Sequence, residues 1–412
     1  MPISGSPKIF YVGNFRFPDS DAASHRAYGM GKALRGAGYE VVFLGAETIG
    51  RPEDAAPGDG YKFDKFSYYP AGNAGNSPMR RALRLWRTHL SGLSAMSRLK
   101  ALWTDDAVAV FAYQASSLLL AQLRQFCNRH RAVLVADVVE WYDRRHVTWG
   151  RFGPFALDSE LCMRYMHGQA DGVVAISSYL ESYYGRRGKP TLRVPTLVDI
   201  RADCWRRPSI GDGVRSPLQL AFVGRAGKKD LLVNAIRGLA LIGEDARNWE
   251  LVMVGPARAE LARNLGEDAN LLERLNGTLR FVGFVSHAEG LAHLWQASFS
   301  ILLRPDLRFA RAGFPTKLVE SLAMGVPVIC NLTSDIGLYV RDGQEGLVVM
   351  DCSPEAFAEG LRRASALSRD QRAVMRANAR QRALVSFDYR NWVEPLGAFL
   401  RQVIEIRHRG RQ

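Results

Sequence analysis

Two doubly wound α/β domains, each a mainly parallel sheet flanked by helices, are the fold that the sequence predicts. The chain has 412 residues, which is enough for two or three domains. Apolar strand-like runs alternate with helical patterns in both halves, and the stretch 195–217, which has no clear period, separates the halves. We therefore expect a first Rossmann-like domain over 1–200, a second over 201–385 and a helical tail over 386–412.

The first half begins with a β–α–β pattern. The run KIFYVGNF predicts a strand over 8–12, and a helical pattern over 22–37 ends at Gly38. A strand over 39–45 completes the unit, whose usual outcome is a parallel sheet with a right-handed crossover. The polar, glycine-rich stretch 46–77 is expected to be an irregular loop. Further strands are predicted over 107–113, 132–139 and 172–176.

The second half repeats this alternation. Strands are predicted over 218–224, 249–255, 279–285, 299–305, 326–331 and 346–350, with helices between them. Residues 354–409 look helical throughout. Ligands of such sheets bind at the carboxyl ends of the strands, and the default site of a two-domain protein is the cleft between its domains. Loops that follow strands are therefore the expected places for functional residues.

Composition narrows the possible partners. The formal net charge is +14, which favours anionic partners such as phosphorylated substrates or an acidic membrane surface over a nucleic acid. A solvated surface rich in arginine is the alternative. The five cysteines are scattered without a CxxC pair, which favours free thiols in a reducing cytoplasm. No run approaches the length of a spanning helix, and the start does not look like a signal peptide.

The most informative segment runs from Arg311 to Val328. Pro315 suits the first position of a helix of about ten residues, and Gly325 suits the position after its end. The first turn of such a helix offers unpaired N–H groups to an anion, and Lys317 adds a charge there. The carboxylate of Glu320 could accept hydrogen bonds from a ribose diol. An ordinary capped surface helix is an equally good interpretation of the pattern.

A second segment, 222–232, places basic residues after a strand that ends at Gly224. Arg225, Lys228 and Lys229 follow in a short loop, and a helix is expected to begin near Asp230. Arginine and lysine in such a loop could hold a diphosphate and stabilise it as a leaving group. The GxxxxGK[ST] spacing of a P-loop is absent. By itself the segment is more typical of a basic surface turn.

Taken together, these segments resemble the donor half of a GT-B glycosyltransferase. The resemblance rests on GRAGKKDLL, VMVGP, RFVGFV and GFPTKLVESLAMGVPVICNLTSDIGLYVRDGQEGLVV, and extends to EWYD and DGVVAISSYLESYYGRRGK in the first half. It is strongest over 218–350 and is most similar to retaining glycosyltransferase family 4, in the branch that builds bacterial surface polysaccharides. The resemblance implies an acceptor-binding first domain, a donor-binding second domain and a tail that packs back on the first.

The resemblance also implies roles for individual residues. Arg225 and Lys229, with Lys228 as the competing candidate, would hold the donor diphosphate. Glu320 would bind the ribose hydroxyls, and Gly13 would keep the first loop close to the donor. The remaining implied contacts are Gly255 beside the nucleotide, Phe284 and Val285 at the base, and Phe314, Pro315, Thr316 and Lys317 around phosphate and sugar.

Two departures from the family pattern concern the sugar. Members commonly have two glutamates eight positions apart; Glu320 matches the second, but Ala312 stands at the first. Backbone amides near Gly313 are the expected substitute, and sugar specificity and activity are therefore open. Many members also have a histidine after a strand of the first domain, where this chain reads DVVEWYDRRH.

That loop contains the first domain's candidates. Glu140 is predicted to contact the donor sugar or orient the acceptor, with His146 as the alternative. Asp143 lies three positions on, so both carboxylates would reach one cleft if a helical turn starts there. Trp141 and Tyr142 could stack on a sugar ring or simply fill the core.

The resemblance implies a retaining reaction without an obligatory side-chain nucleophile. The leaving diphosphate would help to deprotonate the acceptor hydroxyl, while Arg225 and Lys229 stabilise its charge. No Asp-x-Asp and no cluster with metal-ligand spacing is found, so no metal or other cofactor is expected besides the donor as co-substrate.

Residues 79–100 suggest a contact with a membrane. They include six basic residues and no acidic one, and leucine and tryptophan recur on one helical face. This is the composition of an interfacial helix at the cytoplasmic leaflet, near a lipid-linked acceptor. The alternative is a surface helix whose apolar stripe packs on the sheet.

A glycosyltransferase that uses a nucleotide-diphosphate sugar and a polysaccharide or lipid-linked acceptor is the predicted function. A sugar-nucleotide epimerase would need acid and base groups on both sides of one carbon, and only Glu320 is well placed in the second half. A non-catalytic sugar-nucleotide-binding protein is the other alternative, favoured by Ala312.

Overall fold

The fold divides into two units that each contain one sheet. The computed structural model describes residues 6–18, 21–45, 54–56, 60–70, 92–143, 153–205, 217–227 and 229–410. The first unit comprises Met1–Val198, Ala312–Phe314 and Tyr389–Gln412, and the second comprises Asp199–Arg311 and Pro315–Asp388. The main divisions thus fall at 198/199 and 388/389, where the sequence predicted 200/201 and 385/386.

The first unit is built on a sheet of nine strands in the order β3-β4-β5-β2-β1-β6-β7-β8-β9. From β5 to β9 all neighbours are parallel, whereas β4 is antiparallel to both β3 and β5. The strands are β1 (Lys8–Gly13), β2 (Glu40–Gly45), β3 (Asp54–Ala56), β4 (Gly60–Phe63), β5 (Phe66–Pro70), β6 (Ala107–Tyr113), β7 (Val133–Val138), β8 (Gly172–Ala175) and β9 (Thr191–Arg193).

Three helices of the first unit start at side-chain caps. Asp21 and Ser24 form a capping box at the first helix, and Ser116 and Ser177 cap two others. The helices are α1 (Ala22–Gly36), α2 (Leu93–Leu102), α3 (Ser117–His130), α4 (Pro154–Leu161, extended by a π-turn over Cys162–Met166) and α5 (Ser178–Gly185), with a 3₁₀ turn at His167–Gln169.

The C-terminal helix (Val393–Arg409), entered through a 3₁₀ turn at Tyr389–Trp392, belongs to the first unit. Leu396 and Leu400 are fully buried in the same cluster as Tyr11 and Phe43 of the sheet. A Cβ at Gly36 of α1 would lie 2.7 Å from Val393, so the two helices pack closely there. The last helix therefore completes the core of the unit that contains the first strand.

The second unit has six strands, all parallel, in the order β12-β11-β10-β13-β14-β15. Numbered within the unit this is 3-2-1-4-5-6, the order of a Rossmann fold, with the topological switch point between β10 and β13. The strands are β10 (Leu218–Val223), β11 (Trp249–Val254), β12 (Leu279–Gly283), β13 (Phe299–Leu302), β14 (Val328–Asn331) and β15 (Gly346–Val349).

Helices cover both faces of this second sheet. They are α6 (Leu232–Leu241), α7 (Arg258–Leu265), α8 (Leu271–Arg274), α9 (His287–Gln296), α10 (Arg308–Ala312), α11 (Thr316–Ala323), α12 (Ile336–Tyr339), α13 (Pro354–Ala366) and α14 (Arg369–Ser386), with 3₁₀ turns at Asp203–Trp205, Gly243–Asn248 and Gly266–Asn270. The core contains Phe222, Ile236, Trp249 and Phe357 in one cluster. The predicted fold class, two α/β units with doubly wound sheets, is confirmed.

Two local predictions are wrong. The stretch 46–77 contains β3, β4 and β5 rather than only irregular loop. Predicted strand ends such as 305 are also too late, since β13 stops at Leu302. The tail 354–409 is helical as predicted, with short breaks at 367–368, where Ser368 starts a new helix with its own capping box, and at 387–388, before a 3₁₀ turn that precedes Val393.

Candidate functional site

Glycines shape the carboxyl edge of the second sheet. Gly224 and Gly255 follow β10 and β11 with φ of +119° and +109°, and Gly283 at the end of β12 has φ of +81°. A Cβ on Gly255 would lie 2.6 Å from the carbonyl oxygen of Gly224. Because L-residues avoid this backbone region, only glycine lets the strand ends approach so closely. The ends of these strands therefore lie close together beside the switch point without side chains between them.

Charged side chains gather beside Gly224. The Lys317 ammonium, in the first turn of α11, lies 2.6 Å from a carboxylate oxygen of Asp230 and 5.1 Å from the Phe222 ring centroid. The Nε of Arg304, two residues after β13, is 3.7 Å from the other oxygen. Burial alone would raise the pKa of Asp230, but these cations hold it below its ordinary value. The switch point thus carries a cationic cluster around one carboxylate.

Lys229 belongs to the same cluster. It is half-buried, and burial together with the charges of Arg304 and Lys317 lowers its pKa to about 8. Arg225 is exposed in the same loop, and Lys228 lies outside the described residues. The loop ends later than predicted, because α6 begins at Leu232 rather than near residue 230.

The predicted helix start around Pro315 is divided between the two units. Pro315 is the N-cap rather than the first helical residue, α11 has eight residues, and Thr316 is half-buried in its first turn. Gly313 and Phe314 are buried and belong to the first unit, whereas Pro315 and Thr316 belong to the second. Gly325 has φ of +64° after the helix end, as predicted.

Ala312 is held within the first unit. Its side chain is fully buried, and its carbonyl accepts a hydrogen bond of 2.7 Å from Oγ of Ser177, the residue that caps α5. This hydrogen bond ties the segment Ala312–Phe314 to a residue of the first unit, to which the segment also belongs. The contacts predicted for Gly313 and Phe314 with phosphate and sugar stay predictions.

A second polar pair lies on α9 and α11. Nε2 of His287 is 3.2 Å from Oε1 of Glu320, so the carboxylate predicted to bind ribose has a polar neighbour that the sequence interpretation missed. The Trp205 ring lies 6.3 Å from the His287 ring. Phe284 is 75% exposed after β12, and Val285 is half-buried. An aromatic face and a histidine–carboxylate pair thus occur near one another along this edge.

In the first unit, Gly13 ends β1 against β6. A Cβ there would lie 2.4 Å from the carbonyl oxygen of Tyr113, so glycine is required at this strand end. Glu140 and Asp143 are half-buried in an irregular segment after β7, and the helical turn expected there is absent from 139–143. The Glu140 carbonyl instead accepts a hydrogen bond of 3.3 Å from the Gln114 side chain. His146 lies outside the described residues.

Trp141 is a core residue and not a platform for a sugar. Only 3% of it is exposed, its Nε1 donates to Glu160 at 3.2 Å, and its ring lies 4.9 Å from that of Tyr183. Tyr142 packs on Phe155 with ring centroids 5.3 Å apart, and burial raises its pKa to about 12. The core alternative for these two aromatics is the one that the structure supports.

Two charged residues, one in each unit, were missed by sequence reasoning. Asp137, the next-to-last residue of β7, is fully buried; it accepts hydrogen bonds from Arg26 at 2.6–3.0 Å and from the Tyr11 hydroxyl. Arg304 ends the run that was interpreted only as a strand. A charged residue directly after an apolar run was the available signal in both cases.

Comparisons with known proteins relate part of the chain to glycosyltransferases. Residues 214–382 match the family model described as "Glycosyl transferases group 1". The chain is 28% identical over 178 residues to the putative colanic acid biosynthesis glycosyltransferase WcaL of Escherichia coli K12, and this match spans 42% of each protein. The chain therefore matches less than half the length of that curated relative.

Solved structures share the fold over nearly the whole chain. Sucrose-phosphate synthase from Thermosynechococcus elongatus is similar with a TM-score of 0.69 and 18% identity, over 97% of this chain and 100% of that one. Anabaena Alr3699/HepE in complex with UDP is similar with a TM-score of 0.65 and 15% identity, over 96% and 100%. The two units therefore have the GT-B fold, and the enzyme class that these findings support is glycosyltransferase.

The membrane-facing prediction falls largely on residues 79–91, which lie outside the described part. The described remainder starts α2, which buries Met96 and Leu99 in the first unit and leaves Leu93 half-exposed. Among the helices that the structure describes, none combines the length and apolar character needed to cross a bilayer.

Proposed function

We propose that this protein transfers a glycosyl group from a nucleoside diphosphate sugar to a polysaccharide or lipid-linked glycan acceptor, with retention and without a metal ion. The observation that carries the proposal is the cationic cluster of Lys229, Arg304 and Lys317 beside Gly224, at the switch point of a Rossmann sheet. Backbone glycines and cations at this place are what a diphosphate requires. The UDP complex of the HepE structure supports the choice of a nucleotide ligand.

In the proposed reaction, the acceptor hydroxyl oxygen attacks the anomeric carbon as the bond to the donor phosphate breaks. The hydroxyl proton passes to an oxygen of the leaving diphosphate on the same face, so the configuration is retained. Arg225, Lys229 and Lys317 stabilise the charge that develops on that diphosphate, which is the role a metal ion has in other transferases. Glu320 holds the ribose diol, and Phe284 and Val285 line the base.

The first unit is proposed to bind the acceptor and to meet the donor sugar through Glu140, with Asp143 nearby in sequence. Gly13 and the segment Gly313–Phe314 of the same unit would complete the surroundings of the sugar. We place the activity in the cytoplasm, with the basic segment 79–100 in peripheral contact with an acidic membrane where a lipid-linked acceptor would be found. The WcaL relative's printed link to colanic acid biosynthesis supports a surface-glycan acceptor.

A donor panel tests this proposal directly. Binding and slow hydrolysis of UDP, GDP, dTDP and ADP sugars would be measured in the presence of EDTA, on the wild type and on Glu320→Ala and Arg225→Ala. We expect one nucleotide class to bind and hydrolyse without metal, and each variant to lose about tenfold or more in affinity, because each loses hydrogen bonds to a charged group. Arg237→Ala, which removes a charge paired with Asp268 at 2.7 Å, is the control and should bind normally.

A non-catalytic sugar-nucleotide-binding protein is the second candidate, since Ala312 leaves no carboxylate where the family commonly has one. Tight donor binding without hydrolysis, and without transfer to glycan acceptors from a cell extract, would favour it. Failure of every donor to bind would contradict both candidates and the site assignment with them.

A further inference from the structure

Arg304 is fixed in place by its neighbours on β14. Its backbone N–H donates to Oδ1 of Asn331 at 2.8 Å, and the Asn331 amide donates back to the Arg304 carbonyl at 2.8 Å. Thr333 donates to the same carbonyl at 3.3 Å. This clamp holds the first residues after β13 rigidly at the carboxyl edge, directly across the switch point from Gly224.

The guanidinium of Arg304 is buried, and two of its three nitrogens lack a hydrogen-bond acceptor within the part of the chain that the structure describes. Only 5% of its side chain is exposed, and among the described residues neither Nε nor Nη1 has an acceptor. Its nearest carboxylate oxygen, on Asp230, is 3.7 Å away, which is too long for a hydrogen bond. Buried donors are nearly always satisfied in folded proteins, so this pair of N–H groups indicates a missing anion.

The charge of the cluster gives the same indication. Three cations, Lys229, Arg304 and Lys317, act on the single carboxylate of Asp230. Asp230 forms its 2.6 Å ion pair with Lys317, while the Arg304 guanidinium stays 3.7 Å from the same carboxylate. A diphosphate has both the charge and the length to contact Arg304 and Lys317 at once.

We propose that Arg304 is a further ligand of the diphosphate and that Asp230 is a positioning residue that competes with the diphosphate for Lys317. The inference rests on the proposed function and adds two residues to it. In the free protein Asp230 holds Lys317 at the edge of the sheet. When a diphosphate enters, its oxygens take over Lys317 and reach Arg304, and the competing carboxylate keeps the affinity low enough for the nucleoside diphosphate product to leave.

Inorganic pyrophosphate is the probe that tests this inference, because it needs neither a base nor a sugar. Isothermal titration calorimetry on the full chain would compare wild type, Arg304→Gln, Asp230→Asn and the control Arg237→Gln. We expect Arg304→Gln to weaken pyrophosphate binding by about tenfold or more, since hydrogen bonds to a charged group are lost. Asp230→Asn should strengthen it severalfold, and Arg237→Gln should change it less than about twofold.

The two variants are expected to change the pyrophosphate affinity in opposite directions, whereas loss of a merely structural contact would weaken binding in both. Weaker binding by Asp230→Asn, or unchanged binding by a folded Arg304→Gln, would overturn the proposal. If Arg304→Gln does not fold, Arg304→Lys keeps the charge but loses the guanidinium fork, and wild-type affinity in that variant would overturn it equally. If pyrophosphate binds through Arg304 but no nucleotide sugar is bound or hydrolysed in the donor panel, this inference holds and the proposed function is contradicted.

Discussion

The charge of a single residue, Lys229, should control how tightly the site of the second unit binds a nucleotide. The lowered pKa of Lys229, about 8, means that its ammonium loses its proton as the pH rises from 7 to 9. Phosphate groups are already ionised over this range, so only the protein's charge changes. We expect the affinity for the nucleoside diphosphate selected by the donor panel to fall by up to about tenfold between pH 7 and 9.

Lys229→Arg is the matched variant for this prediction, because a guanidinium stays charged throughout the range. The charged groups around position 229 are the same in the wild type and in this variant, so they cannot cause a difference between the two; they are Arg304, Lys317 and Asp230. Calorimetric titrations at matched ionic strength give the comparison. The same decline in the arginine variant would show that another group titrates.

A buried charge pair in the first unit gives a prediction about stability. Arg26 is 1% exposed, and it also donates to the carbonyls of Val194 and Pro195 at 3.0 and 3.1 Å while it neutralises Asp137. Arg26→Met leaves a buried carboxylate unpaired and should lower the free energy of unfolding by about 3–5 kcal/mol. Urea denaturation measures the loss, and Arg362→Met, from an exposed pair, should cost less than about 1 kcal/mol.

At the scale of elements, the turn after β10 depends on the absence of a side chain. A Cβ on Gly224 would lie 3.0 Å from Cε of Lys317, and the backbone there has φ of +119°. Gly224→Ala should therefore displace Lys317, strain the turn and weaken nucleotide binding by about tenfold or more. Gly227→Ala in the same loop, where a Cβ meets nothing within 4 Å, is the control. Equal affinity of the two variants, with equal melting temperatures, would contradict this account.

The elements that sequence reasoning missed have a physical explanation. Parallel strands buried on both faces appear as continuous apolar runs, and the sequence located those of both sheets, although some predicted ends were too late. The parallel edge strand β9 is half-buried throughout and was missed. The strands β4 and β5 mix buried with half-buried or exposed residues without a regular period, where the sheet becomes antiparallel, so their pattern resembles a polar loop. The helix start at Thr316 was misplaced by one residue, because Pro315 suits the N-cap as well as the first turn.

Across the whole molecule, strand order decided which site residues the sequence could reveal. Continuous sequence motifs contain three of the site residues, Lys229, Lys317 and Glu320, and so they could be found from the sequence. Arg304 follows β13 and Asp230 follows β10. The two residues become neighbours only because β13 pairs with β10, although β11 and β12 lie between these two strands in sequence. Sequence order does not determine strand order, and so the cation across the switch point could not be assigned from residue patterns alone.

The C-terminal helix offers a prediction at the same scale. Leu400 is fully buried in the core of the first unit, whereas Ile406 on the same helix is 48% exposed. Leu400→Ala should lower the free energy of unfolding by about 2–5 kcal/mol, and Ile406→Ala by less than about 1 kcal/mol. Chemical denaturation of both variants tests whether the helix is an integral part of the unit. Similar small losses would mean that it only rests on the surface.

The packing of the C-terminal helix on the first unit has a consequence for folding during translation. On a ribosome, the first unit's strands are finished long before Val393–Arg409, which they need to cover their core, has been synthesised. At 5–20 residues per second, the roughly 190 intervening residues of the second unit take about 10–40 s. For that interval the nascent first unit exposes an apolar face while the second unit can already fold. Chaperone binding during translation should accordingly concentrate on the N-terminal half of the chain and end once the helix Val393–Arg409 has emerged and packed on it.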